Sequence, residues 1–127
     1  MLKKFFCLSV ALLLTTIYFL PAFSQMDMKI ISSDAFEEHQ RPPAVFKHDE
    51  HNEEAEIFDC SICHHVYEDG ELIPGAMSID LPCSECHKVG SDRKSPSLMK
   101  AYHKLCMGCH KKEDKGPITC GECHVKK

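Results

Sequence analysis

Cys60-Ser61-Ile62-Cys63-His64 opens a pattern that the chain repeats at Cys83-Ser84-Glu85-Cys86-His87, Cys106-Met107-Gly108-Cys109-His110 and Cys120-Gly121-Glu122-Cys123-His124. Each copy is C-x-x-C-H. Two cysteines about one helical turn apart can form thioethers with the two vinyl groups of one porphyrin, and the histidine that follows then stands over the iron. Repeated C-x-x-C alone would also suit all-cysteine zinc knuckles or a disulfide framework, for which eight cysteines allow 105 connectivities. Neither explains why a histidine follows every pair. With 9 histidines in 127 residues, four such coincidences have odds of roughly 1 in 40,000 on composition alone. The pattern therefore implies four covalently bound c-type haems. Their anchors would be Cys60, Cys63, Cys83, Cys86, Cys106, Cys109, Cys120 and Cys123, with His64, His87, His110 and His124 as proximal iron ligands.

The N-terminus reads as an export signal. Lys3 and Lys4 form a basic start, and Phe5 to Leu20 form an apolar run broken only by Ser9, Thr15 and Thr16. Pro21 and Ala22-Phe23-Ser24 then offer small residues ahead of cleavage before Gln25. Residues 1–24 are thus expected to be a cleaved signal peptide that takes Cys7 with it. The apolar run also approaches the length of a membrane anchor, which is the competing reading. Covalent haem attachment is completed outside the cytoplasmic membrane, so export and C-x-x-C-H agree; in a Gram-negative cell the compartment is the periplasm.

Residues 25–127 form the single expected domain, with about 26 residues for each of four haems. So short a domain, in a sequence that has only 7 Phe, 3 Tyr and no Trp over its full 127 residues, cannot build a large side-chain core. The expected fold is a small haem-cored multihaem cytochrome: a few short α-helices, a small N-terminal β-hairpin, and mostly loop wrapped around four clustered haems. Apoprotein should be largely unfolded, as in small metal domains where binding and folding are one event. Met26 to Ile31 and Ala44 to Phe46 read as two short strands of a hairpin. Ser97 to Lys112 reads as the best helix, with Leu98, Tyr102 and Leu105 on one face. Asp69-Gly70, Pro74-Gly75 and Gly116-Pro117 read as turns.

Five histidines lie outside the proximal positions: His39, His48, His51, His65 and His103. Four haems closed on both faces need four distal ligands, so one is spare. His48 and His51 stand just ahead of the first motif, His65 directly follows His64, and His103 precedes Cys106 by three. His39, in a charged stretch, is taken as the spare surface residue.

Val45-Phe46-Lys47-His48-Asp49-Glu50-His51 is similar to the V-F-x-H-x-x-H of the cytochrome c3 (class III) family, and Cys60-Ser-Ile-Cys63-His64-His65 to its C-x-x-C-H-H. Tyr102-His103 with Cys106 to His110, and the closing Cys120 to His124, continue the resemblance, which spans the chain from about Ala44 onward. Many members have C-x4-C-H at the second and fourth haems, whereas all four copies here are C-x-x-C-H. The resemblance implies His48 with His64 at the first haem, His65 with His87 at the second, His51 with His110 at the third, and His103 with His124 at the fourth. It also implies a low-potential electron carrier and not an enzyme. Adjacent His64 and His65 cannot hold two irons far apart, and His48 and His51 tie two haems to one segment, so the haems must cluster. Two histidines per iron leave no open position for O2 or substrate, and histidine in place of methionine lowers the potential.

Charge divides along the chain. Residues 25–82 hold 3 Lys/Arg against 14 Asp/Glu, and residues 83–127 hold 10 against 5. Such asymmetry can steer association with a charged partner. The basic half, with Lys100, Lys104, Lys111, Lys112, Lys115, Lys126 and Lys127, surrounds the last two motifs. By resemblance it would dock acidic partners such as periplasmic hydrogenase or formate dehydrogenase, with electrons passing on to membrane-bound redox complexes. A solubilising lysine face is the plainer reading, and the acidic run Asp49 to Asp59 would equally suit an acidic, membrane-associated subtype. Positive charge without interleaved aromatics excludes nucleic acid. Two other functions remain open: a membrane-anchored electron-transfer subunit with a retained N-terminus, and a multihaem reductase with one distal histidine unbound.

Overall fold

The computed structural model describes residues 28–90 and 95–126. The expected signal, residues 1–24, lies outside them, as does the Met26 end of the first expected strand. Strand β1 (Ile30–Ile31) pairs antiparallel with β2 (Ala44–Val45), Ile30 opposite Val45 and Ile31 opposite Ala44. Phe46 N–H donates to Lys29 O and His48 N–H to Met28 O, both at 2.9 Å, which carries the pairing up to the next element.

That element, helix α1 (His48–Glu54), was not anticipated from the sequence. It starts where Lys47 leaves extended backbone, and Asp49 and Glu50 in its first turn complement the helix dipole. At seven residues it is too short to be stable alone. A 3-10 turn at Cys60–Ile62 follows, with Asp59 accepting from Ser61 N–H at 2.9 Å. The chain then forms a second hairpin, β3 (His65–Glu68) with β4 (Glu71–Met77).

Asp69-Gly70 makes the tight turn of this hairpin, both residues at positive φ (50° and 87°), the backbone a two-residue hairpin loop demands. Pro74-Gly75 is not the expected chain reversal. It lies inside β4, where the register moves from Tyr67 opposite Leu72 to His65 opposite Met77. Gly75, at φ 73°, accommodates the extra residues as a bulge.

A second 3-10 turn, Cys83–Glu85, precedes α2 (Leu98–Glu113), the helix expected over 97–112. Leu98 N–H donates to Lys88 O at 2.8 Å and docks the helix start on the second motif. The helix stops at Asp114 in left-handed backbone (φ 52°), and Gly116 (φ 83°) completes the reversal towards Pro117. Helix α3 (Cys120–Cys123) is a single turn.

Among the described residues only Leu98 and Ser97 are buried. Large apolar side chains stand open instead, Phe58 at 89% exposure, Tyr67 at 58% and Ile79 at 55%. Two hairpins and three helices without a side-chain core need something else to pack against. No helix of the described residues is long and apolar enough to cross a membrane.

Candidate haem-ligand site

All four C-x-x-C-H copies fold as one helical turn. His64, His87 and His124 each donate a backbone N–H to the first cysteine's carbonyl four residues back, at 2.8, 2.8 and 2.9 Å. The third copy lies inside α2. On a helical turn residues three apart share a face, so both sulfurs of each copy are presented together. None of the eight motif cysteines is joined to another in a disulfide. Burial, then the nearby Cys109 and Cys83, pushes the Cys63 thiol up, and burial with Cys63, Cys123, Cys109 and Cys83 does the same to Cys106. Sulfurs from different copies thus lie within electrostatic reach of one another.

The histidine rings come together in four pairs. Centroid separations are 6.4 Å for His48 and His64, 6.0 Å for His65 and His87, 6.1 Å for His51 and His110, and 6.2 Å for His103 and His124. Each pair takes one ring from a motif and one from outside it. A metal–imidazole bond is about 2.0–2.1 Å and a ring nitrogen sits roughly 1.1 Å from its centroid, so two imidazoles on opposite sides of one metal stand about 6.2–6.4 Å apart. The residues present therefore fit an iron porphyrin at each of four places: two imidazoles would hold the iron and two cysteine sulfurs would tether the ring. Among the described residues no three His, Cys, Asp or Glu side chains converge on one point.

Ring orientation is set from the outer nitrogen. His87 Nδ1–H donates to Pro96 O at 3.0 Å, His110 to Pro117 O at 2.6 Å, and His124 to Pro42 O at 2.6 Å. Donation from Nδ1 leaves the Nε2 lone pair for a metal, the usual outer-shell arrangement of a ligating histidine. Three of the four motif histidines are thus locked by a carbonyl of a proline. The bond to Pro42 spans 82 residues and joins the last motif to the N-terminal hairpin. His48 Nδ1 meets Asp49 Oδ1 at 2.8 Å, while Asn52 Nδ2 stands 3.4 Å from His48 Nε2, at the long limit of a hydrogen bond. Burial, then His87 and His64, lowers the His65 imidazole from the usual histidine range, the direction that favours a neutral ligand.

Several contributors escaped the sequence reading. Phe46 lies against both rings of α1, 6.0 Å from His48 and 4.9 Å from His51. Tyr67 meets His65 edge-on at 5.4 Å, and Ser78 N–H donates to His64 O at 2.9 Å, so the second hairpin steadies the His64-His65 step. Gly116 packs on the His110 ring, where an added Cβ would stand 2.8 Å from Cδ2. An apolar cleft of about 360 Å³ opens between His103, Cys120, Cys123 and His124, floored by Met99, Tyr102, Met107 and Ile118. The Tyr102 phenol is pushed up to about 12, first by burial and then by Cys83. His39, read as a spare surface residue, is exposed but borders this cleft with Arg41, its ring 6.0 Å from Phe36.

The class III cytochrome C family matches residues 25–124. A cytochrome c3 of Desulfovibrio desulfuricans is 35% identical over 105 residues, covering 76% of this chain and 92% of that protein. A cytochrome c3 of Maridesulfovibrio salexigens is 31% identical over 104 residues, 77% of this chain and 92% of its own length. A nine-heme cytochrome c of Desulfovibrio desulfuricans is 36% identical over 72 residues, 51% of this chain and 20% of that protein.

Proposed function

Because this chain belongs to the class III cytochrome c family of electron-transfer proteins with covalent haem c, we propose that it is a low-potential periplasmic electron carrier with four haems, each closed by two histidines. The observation that carries this reading is the set of four ring pairs at 6.0–6.4 Å, each joining a motif histidine to one from elsewhere. Bound haem supplies a one-electron iron couple, held low by histidine on both faces.

The polypeptide supplies attachment, orientation and closure. Eight cysteine sulfurs tether, and His48, His51, His64, His65, His87, His103, His110 and His124 present eight imidazoles. The carbonyls of Pro42, Pro96 and Pro117 fix three of those rings. With two imidazoles to hold each iron there would be no place for substrate, which supports a carrier over a reductase. His48 and His51 on one turn of α1, and His64 beside His65, keep three of the sites together, and α2, which carries both His103 and His110, ties the fourth to them, as relay between them requires.

Residues 1–24 would direct export and be removed, leaving 25–127 as the working domain. Lys100, Lys104, Lys111, Lys112, Lys115 and Lys126 are exposed around the last two motifs. They form a basic surface suited to an acidic partner: a periplasmic hydrogenase or formate dehydrogenase as donor, with a membrane redox complex as acceptor. The test is carbon monoxide binding to the dithionite-reduced, haem-loaded protein at neutral pH, followed in the Soret band. No spectral change is expected. One haem's worth of CO binding would expose an open iron and move the reductase reading to first place.

A further inference from the structure

The eight paired imidazoles differ in what their outer nitrogens meet. His87, His110 and His124 donate to neutral carbonyls, and His51 Nδ1 reaches only Asn52 Oδ1 at 3.5 Å. His64, His65 and His103 have no side-chain hydrogen bond among the described residues. Among the described residues His48 alone meets a carboxylate, Asp49 Oδ1 at 2.8 Å. That charge is not neutralised from elsewhere on its helix: Lys47, the nearest cation in sequence, is taken by Glu50 at 2.7 Å. Glu50, Glu53 and Glu54 on the same helix share its sign.

We propose that Asp49 is a tuning residue for one haem. Its carboxylate accepts the Nδ1–H of His48, strengthens that imidazole as a donor, and lowers the potential of the haem held by His48 and His64 relative to the other three. The inference rests on the ligand pairing proposed above. The physical basis is a carboxylate–histidine–metal arrangement: a negative acceptor at the outer nitrogen makes the inner nitrogen more basic and favours the more highly charged metal. Ferric iron carries one more positive charge than ferrous, so the oxidised form gains most from it. Reduction adds one electron to that iron and leaves the Nδ1 proton where it is. Charge-assisted hydrogen bonds are roughly twice as strong as neutral ones, so carbonyl acceptors at the other sites act in the same direction but less. The Asp49 carboxylate is half exposed, 48%, and water screens part of its effect. An effect at the low end of outer-shell effects follows, about tenfold in the reduction equilibrium, or about 59 mV for a one-electron couple.

The experiment uses the fully loaded protein, with potentials from spectroelectrochemical titration and individual haems resolved by the NMR signals of their methyl groups. Asp49→Asn keeps shape and removes charge; Asp49→Ala removes the acceptor as well and guards against a compensating asparagine hydrogen bond. Both should raise one potential by about tenfold in equilibrium and move the methyl signals of one haem, leaving three in place. Unchanged potentials in both variants overturn the proposal, and so does an equal rise at all four, which reports lost net charge alone. His48→Ala separates this from the ligand assignment. If it opens one haem to CO, the assignment stands whatever Asp49 does. If it opens none, the assignment fails and the Asp49 proposal falls with it.

Discussion

Replacing Gly116 by alanine tests the geometry of the third site. Gly116 sits at φ 83°, and a Cβ there would stand 2.8 Å from Cδ2 of His110 and 3.0 Å from its Cγ and Nε2. Left-handed backbone costs an L-residue about 1–2 kcal/mol. The contact adds to this, since carbon atoms rest about 3.5–4.0 Å apart and the ring would have to retreat by more than half an ångström. It is not free to do so: His110 Nδ1–H is bonded at 2.6 Å to the carbonyl of Pro117, the residue next to Gly116. Retreat stretches that bond, worth about 1 kcal/mol net, and the total comes to about 2–3 kcal/mol.

Because Cys106 and Cys109 would keep the haem attached covalently, the damage should appear at the axial bond. Gly116→Ala should unfold in guanidinium at lower concentration and let one reduced haem bind CO. Gly116→Asn separates the two costs, since asparagine tolerates left-handed backbone but carries the same Cβ. It should recover part of the stability and still bind CO at one haem. A Gly116→Asn protein that binds no CO, or a Gly116→Ala protein within about 0.5 kcal/mol of the parent, within the scatter of ordinary surface substitutions, would refute the contact argument.

His39→Ala should leave every haem low-spin and closed to CO, because His39 borders the fourth cleft while His103 and His124 face each other across 6.2 Å. A newly open haem in that variant would make His39 a ligand in place of His103. Glu122 accepts from Thr119 Oγ1 at 2.6 Å and Thr119 N–H at 2.8 Å, and these bonds hold its carboxyl below the usual glutamate range. A depressed carboxyl stabilises the folded state above its ordinary titration range and loses that contribution as pH falls through its folded value. Parent and Glu122→Gln should therefore differ in stability at neutral pH and converge on acidification, as followed by denaturant unfolding across the acid limb.

What could be read in the sequence, and what could not, follows from how local each constraint is. The C-x-x-C-H copies impose spacing within five residues, so the attachment chemistry was legible at once. Helix α2 was legible because sixteen residues of suitable pattern end at a turn signal, and the β1–β2 hairpin because Pro42-Pro43 set off its second strand. The β3–β4 hairpin was missed although its signals were present. Asp69-Gly70 stands between Val66-Tyr67 and Leu72-Ile73, but Pro74-Gly75 invited a second turn where the chain makes a bulge. The proline carbonyls on His87, His110 and His124 had no signature, since any residue offers a carbonyl and only the fold chooses which one arrives. Nor could the approach of Gly116 to His110 be inferred from a Gly-Pro dipeptide, which says turn and nothing about what the turn touches.

The same contrast bears on how the molecule holds together. With Leu98 the one buried large side chain among the described residues, stability must come from the paired sites, and the pairs differ in reach. His48 with His64, His65 with His87, and His103 with His124 each close a modest loop. His51 with His110 spans most of the domain, as does the bond from His124 to the carbonyl of Pro42. Those two long links join the acidic N-terminal half to the basic C-terminal half, as His65 with His87 does over a shorter span. Helix α1, too short to stand alone, carries His48 and His51 three residues apart, so its existence depends on both being engaged. Loss of His51 should therefore cost more than one axial bond: it releases one end of α1, and with it the position of His48 at a different site. With His48 and His51 as ligands, as proposed, coupling between neighbouring sites would have a mechanical basis in seven residues of helix.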